Sequence, residues 1–362
     1  MDESRKQILE RLKNGELNVE EASKLLEDLE WNQKGTEHTT TKPGSQETAE
    51  SYTRTETDPY EKKFTSATKK LSNIFDQAIS KMKKMDLDFY NSVEVSHVFQ
   101  RNQSDFTNVF IEISNGDVAI ATWDHTDVRI ECKAKVYRED DPDKGKKKFL
   151  KEVECTESDG SLIFKSKDKL MKVSAKMYVP EKMYRYVKVK LTNGPITCEQ
   201  VQAEKFDCKT ANGKIRLVGC AGEKGDIETV NGQVTVMDGD FEKLDMETVN
   251  GKVNVDGKCS ELDVETIGGT IVVTVKNSDI ESARIRSMTG AVYVKLPTDI
   301  GIYGELKSHV GNLQVDFSDI LIKQQRKEFI MKHLVFEKVS DMSKPMNLYA
   351  EAKTGSIFIQ PL

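Results

Sequence analysis

The stretch GDIETVNGQVTV (225–236) is followed nineteen residues on by LDMETVNGKVNV (244–255). The phrase continues in both directions. Before it stand VKVKLTNGPITC (187–198) and FDCKTANGKIRL (206–217); after it come LDVETIGGTIVV (262–273), ARIRSMTGAVYV (283–294) and GELKSHVGNLQV (304–315). The turn glycines Gly194, Gly213, Gly232, Gly251, Gly269, Gly290 and Gly311 are spaced by 19, 19, 19, 18, 21 and 21 residues. Self-similarity at about twenty residues marks stacked supersecondary units. Apolar residues alternate on both sides of each glycine: Phe206 and Cys208, Leu244 and Met246, or Leu262 and Val264 before it; Ile215 and Leu217, Val234 and Val236, or Ile271 and Val273 after it. A period of two on both sides means two short strands per repeat, each with one buried face.

An Asn-Gly pair between alternating segments also suits an antiparallel hairpin. The strict repeat favours instead a parallel β-solenoid, in which rungs about 4.8 Å apart stack like positions into columns. The asparagine column (Asn193, Asn212, Asn231, Asn250) suits left-handed turn angles and side-chain ladders. The column three before the glycine (Leu191, Thr210, Thr229, Thr248, Thr266, Ser287, Ser308) suits a tight corner where hydroxyls bond between rungs. These are structural residues.

Two outlying copies complete the pattern: Val109–Ile120 around Gly116, and LYAEAKTGSIFI around Gly355. Nine rungs result, within a mainly β region spanning 89–362, with insertions near 138–186 and 318–347. Upstream, 1–31 reads as an α-helical hairpin. Ile8, Leu9 and Leu12 form one stripe, Gly15 a C-terminal cap, and Asn18 with Glu21 the spacing of a capping box. Two helices of this length need a partner to cover them: another copy, another protein or the rest of this chain. Residues 32–58 are nearly devoid of apolar residues and read as a disordered linker. Residues 59–88 read as a basic amphipathic helix, with Phe64, Leu71, Phe75 and Met82 on one face and seven lysines between them. It suits a cover for an open end of the solenoid, contact with a membrane surface or a coiled coil with a partner.

The net charge of −6 supplies no basic field for nucleic acid. No apolar run is long enough to span a bilayer. The first residues lack the apolar core of a secretory signal, so a cytoplasmic placement is the expectation, with membrane association and surface exposure as alternatives. The six cysteines show no metal-ligand spacing, the five histidines are scattered, and phosphate-loop and nucleophile-elbow motifs are missing. The expectation is a protein that is not an enzyme and uses no cofactor or metal.

The positions six and four before each glycine face outward. Three successive rungs carry paired carboxylates there: Asp226 and Glu228, Asp245 and Glu247, Asp263 and Glu265. Rungs bearing Lys188, Lys190, Lys209, Arg284 and Arg286 flank them. Like charges one rung apart repel, so this face is a candidate to receive a cation: a basic peptide, a lysine-rich protein segment or Ca²⁺. A solvated outer face screened by salt is the plain alternative.

The phrase LKNGELNVEEASKLLEDLEW (12–31) resembles the short helical module that opens the LiaX/YvlB-like proteins of Gram-positive bacteria. The Thr-x-Asn-Gly repeat resembles the bacterial adhesin-type β-repeat domain found in the same proteins. The resemblance implies a role in cell-envelope stress and antimicrobial-peptide responses, alongside small membrane proteins of the phage-shock type. Some such relatives are regarded as surface-exposed. Alternatives are an adhesin-like protein that binds a surface polymer and a membrane-surface sensor acting through 60–86.

Overall fold

The computed structural model describes residues 91–102, 105–327, 331–340 and 345–362. The expected hairpin of 1–31, linker of 32–58 and basic helix of 59–88 lie outside the described residues. The rest is a parallel β-solenoid with antiparallel strands at both ends. Each repeat places one strand before the turn glycine and one after it. Ala221–Asn231 pairs in parallel with Gln202–Asn212 on one side and with the latter half of Val234–Asn250 on the other, Asp226 lying between Asp207 and Asp245. The antiparallel hairpin reading of Asn-Gly therefore fails within the repeats.

In-register stacking makes the alternation a continuous core. Val189, Cys208, Ile227, Met246, Val264 and Ile285 form one inward column, Ile196, Ile215, Val234, Val253, Ile271 and Val292 another, and every member is fully buried. One interruption is Gly225, where Phe241 and Leu244 fill the space a side chain would take. The cysteines Cys132, Cys155, Cys198, Cys208, Cys220 and Cys259 are all free and buried. Burial pushes the thiols of Cys132 and Cys259 up to about 12 and that of Cys220 to about 11, which keeps them protonated and inert.

The turn residues divide the work. A Cβ on Gly213, Gly232, Gly251 or Gly269 would run into the carbonyl oxygen of the glycine one rung below. Rung spacing, rather than backbone angle, thus demands glycine at most of these turns. None of the ladder asparagines takes a positive φ. Their amides instead form a chain: Asn193 donates to Asn115 at 2.7 Å, Asn212 to Asn193 at 2.9 Å, Asn231 to Asn212 at 2.9 Å and Asn250 to Asn231 at 3.0 Å. The hydroxyls of Thr210, Thr229 and Thr248 each donate to the turn-glycine carbonyl of the rung below, at 3.0–3.2 Å.

Chain order and stacking order part company at both ends. Met346–Thr354 pairs in parallel with Ser282–Thr289 on one face and with Ile302–Val310 on the other. The last rung is therefore inserted between the two that precede it, and Ser308 donates to the carbonyl of Gly355, not Gly290. At the opposite end Ser161–Ser166 and Met171–Pro180 stack on the outer side of Asn108–Trp123, whose other side carries Met183–Asn193 and Ile196–Glu199. The stretch 138–186, read from sequence as an insertion on one face, is built into the stack as a tenth rung without an Asn-Gly turn. It also supplies helix α1 (Pro142–Glu152), which is started by Asp141 and closes that end of the core with Gly145 against Val93 and Phe149 against Phe99 and His97. At the far end 318–347 is an insertion, and its antiparallel strands Ile320–Lys327 and Lys332–Lys338 extend the sheet from Ile302–Val310.

Candidate functional site

The parallel register carries the outward charges into two columns. One reads Lys188, Asp207, Asp226, Asp245, Asp263, Arg284, Tyr349, Glu305; the other reads Lys190, Lys209, Glu228, Glu247, Glu265, Arg286, Glu351, Lys307. All six carboxylates singled out from the sequence fall on one face over three consecutive rungs. They are not equivalent.

Lys209 serves the first rung of the three. Its Nζ lies 3.1 Å from Asp226 and 2.7 Å from Glu228, and it also reaches Asp207 at 3.6 Å. Asp207 is buried yet ionised: burial would raise its carboxyl, but Lys188 at 2.9 Å, Lys209 and the Tyr186 hydroxyl hold it below its ordinary value. The third rung is served from the other side, with Arg284 bound to Asp263 and Arg286 to Glu265. Arg286 and Glu265 are themselves buried, at 4% and 9% exposure, so this pair belongs to the framework more than to the surface. The inserted C-terminal rung places Glu351 on the far side of Arg286 and Tyr349 beside Arg284.

The middle rung is left over. Among the described residues Asp245 pairs only with Lys224, at 3.8 Å, and burial followed by the neighbouring carboxylates raises its carboxyl despite Lys243 and Lys224. Glu247 has no ion pair among the described residues. Burial, then the charges of Glu228, Asp226 and Asp263, push its carboxyl up to about 7. Burial also raises Glu228, which Lys209 offsets only in part. The acidic patch thus reduces to one half-buried position of excess negative charge at Asp245 and Glu247, flanked by carboxylates already paired. Such a slot fits a single ammonium or guanidinium. Among the described residues no group of three or more His, Cys, Asp or Glu is arranged to hold a metal ion.

The sequence offers no means of ranking the six acids. Ranking needs the reach of Lys209 across two columns and the insertion of the last rung. One clue to that insertion was available in the sequence. Stacking in chain order would set Arg286 against Lys307, a like-charge contact that Glu351 relieves when its rung lies between them.

The Toastrack DUF4097 family model matches residues 106–333, and a SHOCT-like domain model matches residues 3–33. The uncharacterized protein YvlB of Bacillus subtilis (strain 168) is 38% identical over 368 residues, covering 99% of this chain and 98% of that protein. Two solved structures of adhesin candidates are similar in fold. One, from Bacteroides fragilis, is 11% identical and covers 74% of this chain and 97% of its own, with a TM-score of 0.39. The other, from Parabacteroides distasonis, is 12% identical with the same coverages and a TM-score of 0.37. By the family model and the near full-length relative, the chain is a member of the Toastrack DUF4097 family, of the YvlB type.

Proposed function

We propose that the protein is a non-enzymatic scaffold of the cell-envelope stress and antimicrobial-peptide response, whose solenoid presents a one-cation slot to a basic peptide or a lysine-bearing protein segment. The observation that supports this is the middle rung of the ladder: Asp245 and Glu247 are held next to paired carboxylates, with Glu247 raised to about 7 and without an ion pair among the described residues. Residues 1–31 are the module for self-association or for a protein partner, with small phage-shock-type membrane proteins as the partner class.

A cation entering the slot meets a mostly protonated Glu247 below pH 6 and an ionised one above pH 8, so binding strengthens as pH rises through Glu247's titration. In calorimetric titration with a short lysine-containing peptide at low salt, affinity rises about fivefold to tenfold between pH 6 and pH 8. Glu247→Gln removes that rise, whereas Asp226→Asn keeps it and moves it to lower pH, since the charge of Asp226 is one of those that raise Glu247. Equal affinity at both pH values in the unaltered protein rejects the slot.

A further inference from the structure

The two ends of the solenoid treat their cations differently. At the end extended by Ile320–Lys338, Lys323 pairs with Glu337 at 2.7 Å, Lys332 donates to Asn312 at 2.9 Å, His333 meets Glu305 at 3.0 Å and Lys338 donates to the Ile300 carbonyl at 3.1 Å. At the end closed by α1 the lysines are largely untethered. The helix buries Gly145 and Phe149 and presents Lys144, Lys146, Lys147, Leu150 and Lys151 to solvent, Leu150 at 47% exposure. Lys148 is held by Asp168 at 3.4 Å and Lys151 reaches Glu152 at 3.9 Å; Lys144, Lys146 and Lys147 have no ion pair among the described residues.

Two further observations concern the same end. On the adjoining sheet, Lys135 lies between Glu94 and Lys172 in successive antiparallel pairs, all three exposed, with Lys133 two residues along. The chain also enters the solenoid here: the amide of Arg138, just before the helix, donates to the carbonyl of Asn91 at 2.7 Å.

We propose that the α1 end of the solenoid docks on an anionic lipid surface, with Lys144, Lys146, Lys147 and Lys151 at the headgroups and Leu150 entering the interface. The lysines alone would serve any polyanion. An exposed leucine among them favours a surface with an apolar layer beneath its charge, since lipid contact gains from both terms and a soluble polyanion from one. The inference is independent of the cation slot, which lies on a different part of the stack.

The test is co-sedimentation of the full chain with phosphatidylcholine vesicles, with vesicles that also contain phosphatidylglycerol, and a parallel titration with soluble polyphosphate. The unaltered protein sediments with the acidic vesicles, and high salt releases it. K146E/K147E/K151E weakens that binding by at least about tenfold. L150S weakens vesicle binding about threefold to fivefold and leaves polyphosphate binding unchanged. All these side chains are exposed, so thermal melting of the variants should match the unaltered protein and exclude misfolding. Three results overturn the proposal: undiminished vesicle binding by the triple variant, loss of binding only on reversing Lys81, Lys83 and Lys84, or an L150S variant that binds acidic vesicles as the parent does.

Discussion

Between Gln202 and Val275 every rung touches the rungs that precede and follow it in the chain, whereas at either end the chain skips a place and returns to fill it. In the middle, pairing closes loops of about one repeat and each rung depends on its two neighbours, the behaviour expected of a one-dimensional stack. At the ends the partners are far apart in sequence: Asn193 bonds Asn115 across 78 residues, and Ser308 bonds Gly355 across 47. The middle is modular and the ends are not. The first and last rungs in the chain cannot be lost by peeling from the outside, because the rung around Gly116 and the rung around Gly355 each lie between two others.

The sharpest way to break this comparison is deletion. Removing residues 345–362 takes out an interior layer and leaves Ser282–Thr289 and Ile302–Val310 without the strand that joins them. We expect loss of hydrogen-exchange protection throughout 282–315 and a fall in Tm of more than about 10 °C. Excising 233–251 instead joins Gly232 to Lys252 and restores the repeat phrase. That variant should stay folded, with a fall of only a few degrees, and should lose cation binding together with Asp245 and Glu247. Equal damage from both deletions would show that the middle is not modular.

A smaller contrast is available at the turns. Gly232 packs against the carbonyl of Gly213, so Gly232→Ala forces two rungs apart and should cost about 2–4 kcal/mol in chemical denaturation. A Cβ on Gly160, in an end turn at φ +67°, would meet only the Thr107 hydroxyl, at an ordinary 4.0 Å, so Gly160→Ala should cost about 1 kcal/mol, from backbone strain alone. The smallest effect concerns the ladder. Glu247's carboxyl is higher in the folded protein than in the unfolded chain, so folding favours its protonated form. The associated stability is present below the ordinary glutamate range and is lost as pH rises toward and through about 7. Glu247→Gln should therefore stabilise the protein by about 1 kcal/mol at pH 8 and by nearly nothing at pH 5.

The middle of the stack was legible in the sequence because each rung repeats the same turn, core and corner residues at nearly constant spacing, and stacking follows from the period. The ends were not, for a physical reason. Alternating apolar residues such as Leu348, Ala350 and Ala352 say which face of a strand is buried but not which strand lies beside it. The rung at 161–180 lacks the Asn-Gly signal altogether, since its turn runs through Ser166 to Met171. Helix α1 was concealed by its lysines: only Gly145 and Phe149 are buried, too few to give a helical period. The six-acid face was legible as a face, and its reduction to Asp245 and Glu247 depended on the reach of Lys209, Arg284 and Arg286.

The inserted last rung also sets a clock on synthesis. Residues 302–315 leave the ribosome before the strand that must lie between them and 282–296 has been made. At about 5–20 residues per second that interval is some 2–10 s. During it, two parallel strand edges with buried-type side chains, Ile285 and Leu306 among them, face a gap that only the end of the same chain is shaped to fill. Completion of the stack therefore waits until residues 346–361 have emerged. A nascent chain stalled between residues 315 and 346 would present the open, adhesive edges that the finished stack conceals.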